Sequence, residues 1–149
     1  MTTPHRPLSH VRVVDLSQGL AGPTCGFHLA EYGARVVKIE PPEGDWGRNM
    51  GTPVAGMSPM AQCYNRGKQG LAIDLKCSEG KEAVLRLARL SDVFIQSARP
   101  GAMQRLGLDF ETIAKVQPNI VYVSISGYGQ TGPSRALPMT DTVAQAFSG

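Results

Sequence analysis

The chain has 149 residues, 42% of them apolar, with 17 glycines and 11 prolines; this suits one turn-rich domain with a real core and argues against disorder. Its net charge of +3, with no basic block and no interleaving of aromatic and basic residues, gives no case for a nucleic-acid partner. No apolar run approaches the roughly 20 residues of a membrane span, and the polar stretch Met1 to His10 lacks the apolar core of a secretory signal, so a cytoplasmic protein is expected.

The first strand is expected at "VRVVDLS" (11–17). "LAGPTCG" (20–26) then opens a helix, with Pro23 in its first turn and Gly33 closing it. "ARVVKIE" (34–40) is the second strand. The connection at 41–70, which holds the only Trp, is irregular, and Ser58 can cap a short helix within it. "LAIDL" (71–75) is the third strand, followed by a helix capped by Ser78 with Val84, Leu85, Ala88 and Leu90 on one side. "DVFIQ" (92–96) and "IVYVSIS" (120–126) complete five buried strands. Between these two, Asp109 can cap "FETIAKVQ", which Pro118 ends. Thr140 or Asp141 can cap a last helix with Val143, Ala144 and Phe147 on its apolar side. Repeated β-α-β units of this kind predict an α/β fold: a Rossmann-like, mostly parallel sheet with helices on both faces.

Several short stretches carry candidate chemistry. Gly19, Gly22 and Gly26 lie where an anion meets a helix N-terminus, but their spacing is not G-x-G-x-x-G, which argues against NAD. Cys25 stands near that helix start, where a thiol pKa can fall; a small buried thiol is the favoured reading. His28 is read as a packing residue. The three cysteines have no C-x-x-C spacing and read as reduced thiols, and His5, His10 and His28 have no metal-ligand spacing, so no metal is expected. Arg66, Lys68 and Lys76 surround the third strand; Lys76 stands just past its C-terminal end, where ligands of such folds gather, although taken alone it reads first as a solvated lysine. Arg99 and Arg105, after the fourth strand, can hold phosphate or be ordinary surface arginines. Arg105 reaches the ligand edge only if the short helix after Gly101 folds back. "SGYGQTGP" (126–133) is a glycine-rich loop at a strand end.

Taken in order, "VRVVDLSQGLAGPTCGFHLAEYGARVVKIEPPEGD", "NRGKQGLAIDLKCSEGKEAVLRLARLSDV", "ARPGAMQRLGLDFETI", "NIVYVSISGYGQTGP" and "DTVAQAFSG" resemble the class III CoA-transferases of the CaiB/BaiF type over residues 8–149. That family includes formyl-CoA transferases, carnitine CoA-transferases and α-methylacyl-CoA racemases. The resemblance implies transfer of CoA from an acyl-CoA donor to a small carboxylate acceptor, with CoA as substrate and neither NAD nor metal. It implies an aspartate nucleophile and an aspartyl-CoA intermediate, the aspartate falling beyond Gly149. On this reading residues 1–149 are the incomplete, N-terminal CoA-binding part of the family's large domain, inactive alone. A stand-alone CoA-binding module without catalysis is the alternative.

By position, the family's CoA contacts fall on Leu20, Ala21, Ile73, Lys76, Ser97, Ala98 and Arg105. Lys76 and Arg105 would serve the phosphates and Ile73 would flank the adenine. No catalytic residue is assigned within the chain. Gln96, Ser97 and Ala98 depart from the common family pattern of an acid, an amide and an aromatic; loss of the aromatic removes a packing surface for CoA. Thr140 stands where racemases carry a histidine, which argues against racemase activity. Asp141 is a helix cap or, less simply, a general base. Family members are interlocked homodimers, so this chain is expected to self-associate or to need the remainder of the protein.

Overall fold

The computed structural model describes residues 6–55 and 58–149. The readings of His5 and of the first five residues lie outside the described residues, as do positions 56 and 57 of the irregular connection. Five parallel strands form one sheet: β1 (Arg12–Asp15), β2 (Arg35–Glu40), β3 (Gln69–Ala72), β4 (Val93–Gln96) and β5 (Val121–Ser124), in the spatial order β3-β2-β1-β4-β5. The helices are α1 (Ala21–Glu31), α2 (Pro59–Asn65), α3 (Ser78–Arg89), α4 (Ala102–Leu106), α5 (Phe110–Val116) and α6 (Asp141–Ser148), with a short 3-10 turn at Trp46–Asn49. No described helix is long and apolar enough to cross a membrane.

Successive strand residues point to opposite faces, and this sorts the Val- and Ile-rich strands into two cores. Val14, Ile39 and Phe94 join Val84, Ala88, Leu108 and Ile113 beneath α3, α4 and α5. Val13, Val36 and Ile95 join Ala34 on the other face, with Leu29 and Ala30 of α1 packed against them. Both faces of the central strands are thus covered, as parallel sheets require. Tyr122 stacks on Phe94 at 5.1 Å and donates its hydroxyl to the Leu108 carbonyl, tying β5 to this core; burial pushes its phenol well above the ordinary tyrosine range.

Five local expectations need correcting. The third strand begins two residues earlier than expected and is exposed at all four positions, because it closes one edge of the sheet. β5 at the other edge is likewise exposed at Val121 and Ser124, so the two outer strands are not the buried strands expected. Cys77, not Ser78, caps α3: its Sγ accepts from the Gly80 N–H at 3.4 Å, while the Ser78 hydroxyl turns to Glu79. Leu90 follows α3 and is exposed, so only Val84 and Ala88 of the expected stripe are fully buried, with Leu85 partly so. Ser58, Asp109 and Thr140 cap α2, α5 and α6 through their side chains. Asp141 is the first residue of α6 and accepts from Gln145 at 2.6 Å, so it is not the cap.

Candidate functional site

The strand order places a switch point between β1 and β4, whose outgoing connections leave toward opposite faces of the sheet. Open parallel sheets bind ligands in the crevice outside the carboxyl ends of their strands at such a point. Two stretches meet there: the β1–α1 turn, Leu16 to Leu20, and the β4–α4 turn beginning at Ser97. The Gln18 N–H donates to Ser97 Oγ at 2.9 Å, which latches the two turns across the switch point.

Helix α1 starts over this crevice. Leu20 precedes its first residue, and no side chain caps its N-terminus among the described residues. Gly22 and Gly26, one turn apart, allow the helix to lie close on the sheet. A Cβ on Gly22 would stand 2.1 Å from Ser17 Cβ, and one on Gly26 would stand 2.5 Å from Asp15 Oδ2.

Beneath α1 lies a buried charge cluster. Asp15, the last residue of β1, faces Lys38 within β2 in register, and period-two alternation puts them on the α1 side of the sheet, beyond Val13 and Val36. Each takes a different partner. Asp15 pairs with Lys68 at 2.8 Å, and both side chains are almost wholly buried. Lys38 pairs with Asp45, also at 2.8 Å and also buried. Ser17 joins the two pairs: its N–H and hydroxyl donate to Asp15, and its carbonyl accepts from Lys38. Asp45 Oδ1 accepts from the N–H groups of Gly19 and Gly47. Glu40 accepts from the Asp45 N–H and is gripped by Arg48 at 2.6 and 2.8 Å. All three donors of the Lys68 ammonium are used, by Asp15, the Pro23 carbonyl and Asn65. Burial pulls Lys68 below the ordinary lysine value, against the opposing pull of Asp15. Burial and the nearby Asp15 charge push the Cys25 thiol up, so the favourable effect of a helix start does not make it a reactive thiolate.

The residues singled out from the sequence mostly gather at this edge of the sheet. Leu20 and Ala21 open α1, and Ala21 is exposed. Ser97 and Ala98 follow β4, but their polar groups are engaged: Ser97 Oγ by Gln18, and the Ala98 N–H by Gln96 at 2.7 Å. Ile73 and Lys76 follow β3. The Ile73 side chain is in the core and its N–H donates to the Glu40 carbonyl at 2.8 Å, so the side chain is not free to flank an adenine. The Lys76 side chain is exposed. Arg105 lies on α4 and runs back along it: Nη1 lies 3.3 Å from where a Cβ on Gly101 would stand. The guanidinium therefore lies beside the N-terminal turn of α4. A small cavity of about 190 Å³ lies at the ends of β4 and β5, lined by Gln96, Arg99, Gln104, Asp109, Tyr122 and Gln130. A larger, open groove of about 650 Å³ runs between the 3-10 turn and α2. Its two arginines are already paired, Arg48 with Glu40 and Arg66 with Glu31.

The model of the family described as CoA-transferase family III matches residues 8–149. The chain belongs to CoA-transferase family III. It is 43% identical over 148 residues to the acetyl-CoA:oxalate CoA-transferase of Acetobacter aceti, covering 98% of this chain and 38% of that protein. It is 40% identical over 146 residues to the human succinyl-CoA:glutarate CoA-transferase, covering 97% of this chain and 33% of that protein. A CAIB/BAIF family protein from Brucella suis has the same fold, with a TM-score of 0.91 at 36% identity over 96% of this chain and 39% of that one. The chain thus spans between a third and two fifths of the length of these curated relatives. The resemblance carried by the ordered motifs is therefore correct at the level of family and fold.

Asp15, Lys38 and Asp45 were missed as site-building residues. For Asp15 and Lys38 the available signal was a charge within each of two Val-rich strands, on the face that carries Val13 and Val36.

Proposed function

We propose that this chain supplies the CoA platform of an enzyme that moves CoA from an acyl-CoA donor to a small carboxylate acceptor. The observation that carries this reading is the meeting of the uncapped start of α1 with the turn after β4, latched by the Gln18 N–H to Ser97 Oγ, at the carboxyl edge of the sheet. The α1 amides and the Lys76 and Arg105 cations would hold the phosphate-bearing end of CoA. Leu20, Ala21, Ser97, Ala98 and the backbone at Ile73 would line its path. No NAD, metal, nucleic acid or membrane enters this reading, and a cytoplasmic setting suits it.

The chemistry is covalent catalysis by an aspartate that the family pattern places after Gly149. The carboxylate attacks the acyl-CoA thioester carbon and the CoA thiolate leaves, giving a mixed anhydride. The thiolate then attacks the aspartyl carbonyl, releasing the donor acid and leaving aspartyl-CoA. The acceptor carboxylate reverses these steps and departs as the new acyl-CoA.

Calorimetric titration of CoA into the full chain tests the reading. Lys76→Ala combined with Arg105→Ala should weaken binding by at least tenfold, since each charge-assisted contact is worth roughly 1.5–3 kcal/mol when desolvated. Equal affinity in parent and variant would refute the assignment of these two cations.

A further inference from the structure

We propose that Lys38 and Asp45 are positioning residues that hold the Ser17–Gly19 turn in the conformation CoA meets. The proposal rests on the CoA-platform reading and adds to it residues that need not touch the ligand.

The turn owes its shape to side chains from four separate segments. Asp15 accepts from Ser17, Lys38 donates to the Ser17 carbonyl, Ser97 accepts from Gln18, and Asp45 accepts from Gly19 at 2.9 Å. Asp45 lies 26 residues along the chain from Gly19, so the geometry of the turn depends on the 41–50 loop being docked. That loop is itself fixed, because Glu40 holds the Asp45 N–H and Arg48 holds Glu40. Trp46 then lies directly over the turn: a Cβ on Gly19 would fall 2.0 Å from the indole Cζ2. Gly19 has φ +77°, a conformation that glycine adopts without strain.

Stability alone does not account for the Lys38–Asp45 pair. A buried ion pair is often no more stable than apolar residues of the same volume. Here the pair divides its bonding capacity. Asp45 Oδ2 takes Lys38, while Oδ1 is left to receive two backbone amides, and Lys38 spends a second donor on the Ser17 carbonyl. Both residues are thereby directed onto the backbone that leads into Leu20 and Ala21. Asp45 acts by presenting an acceptor to Gly19, and Lys38 acts by orienting that carboxylate and the Ser17 carbonyl.

The test compares Asp45→Ala with the double variant Lys38→Met, Asp45→Asn in the full chain. The double variant keeps an Oδ1 acceptor for Gly19 and leaves no buried charge unpaired. Amide hydrogen exchange at Gly19, calorimetric affinity for CoA and thermal melting are read for each. Asp45→Ala should speed Gly19 exchange and weaken CoA binding about tenfold, the scale of one hydrogen bond to a charged acceptor. The double variant keeps the Gly19 acceptor but loses the Lys38 bonds to position 45 and to the Ser17 carbonyl, so it should recover part of each loss and stay short of the parent in both readouts; full recovery to the parent would remove Lys38 from the proposal. Ile113→Val, in the opposite core, should lower the melting temperature without moving either readout. Unchanged Gly19 exchange in Asp45→Ala would overturn the proposal, as would faster exchange with undiminished CoA affinity. If the parent itself does not bind CoA, the platform reading falls and takes the ligand half of this proposal with it, while Gly19 exchange still decides whether Asp45 holds the turn.

Discussion

Glu40 shows how one residue of this fold converts pH into stability. Burial alone would raise its carboxyl, but the Arg48 hydrogen bonds and charge, the Asp45 N–H and Lys38 outweigh it and hold the group below the usual glutamate range. A depressed carboxylate adds stability that is fully present above the unfolded glutamate value of about 4.3 and is lost as pH falls through the folded value. Thermal melting between pH 7 and pH 3 should therefore show a steeper acid decline in the parent than in Glu40→Gln. Parallel declines would show that the carboxylate has no such linkage. Lys68 was legible as a cation beside a strand, and Lys76 as one at a strand end. The role of Lys68 was not legible, because its partner Asp15 lies 53 residues away and inside what reads as an ordinary Val-rich strand. Sequence periodicity reports which face a residue occupies, not which distant charge it meets.

At the scale of elements, Lys68 is a rivet. From the end of the α2–β3 connection it reaches Asp15 on β1 and the Pro23 carbonyl of α1, so three elements depend on one ammonium. Lys68→Met removes one partner of a buried pair and should cost about 3–5 kcal/mol, since Asp15 is left charged and buried. Denaturant unfolding measures this; a loss under 1 kcal/mol would mean that water or Lys38 takes over the role. The central elements were legible because β1, β2 and β4 are apolar on both faces and their helices carry clear caps at Asp109 and Ser58. The edge strands were less so. "LAIDL" has the composition of a buried strand, yet the ladder with β2 pairs Gln69 through Ala72, and Ile73 already turns into the core. The short α4 was foreseen only as a condition for Arg105; Gly101 and Gly107, both at positive φ, bound its five residues.

For the whole molecule, apolar surface sets the expectation. Phe147 is 72% exposed and meets Tyr128 in a T-shaped contact, and Val143, one turn earlier on α6, and Leu137 are also exposed. Val121 adds apolar surface on the open edge strand β5. Grouped exposed apolar residues and an uncovered edge both favour association. Light scattering across a concentration series should show residues 1–149 above monomer mass, and a monodisperse monomer throughout would contradict this expectation. Family and fold were legible here because motif order and spacing are properties of the entire chain; the platform's internal wiring was not, because it consists of long-range side-chain contacts.

The central claim is that CoA binds along the carboxyl edge of the sheet at the β1–β4 switch point. Titration of CoA into the isotope-labelled chain, followed by amide chemical shifts, tests it most directly. The account predicts saturable shifts concentrated at Gln18 to Gly22, Ile73 to Lys76, Ser97 to Arg99 and Arg105, with Arg12, Asp92 and Ile120 at the opposite edge unmoved. Absence of shifts at millimolar CoA, or shifts confined to the groove between Arg48 and Arg66, would contradict it.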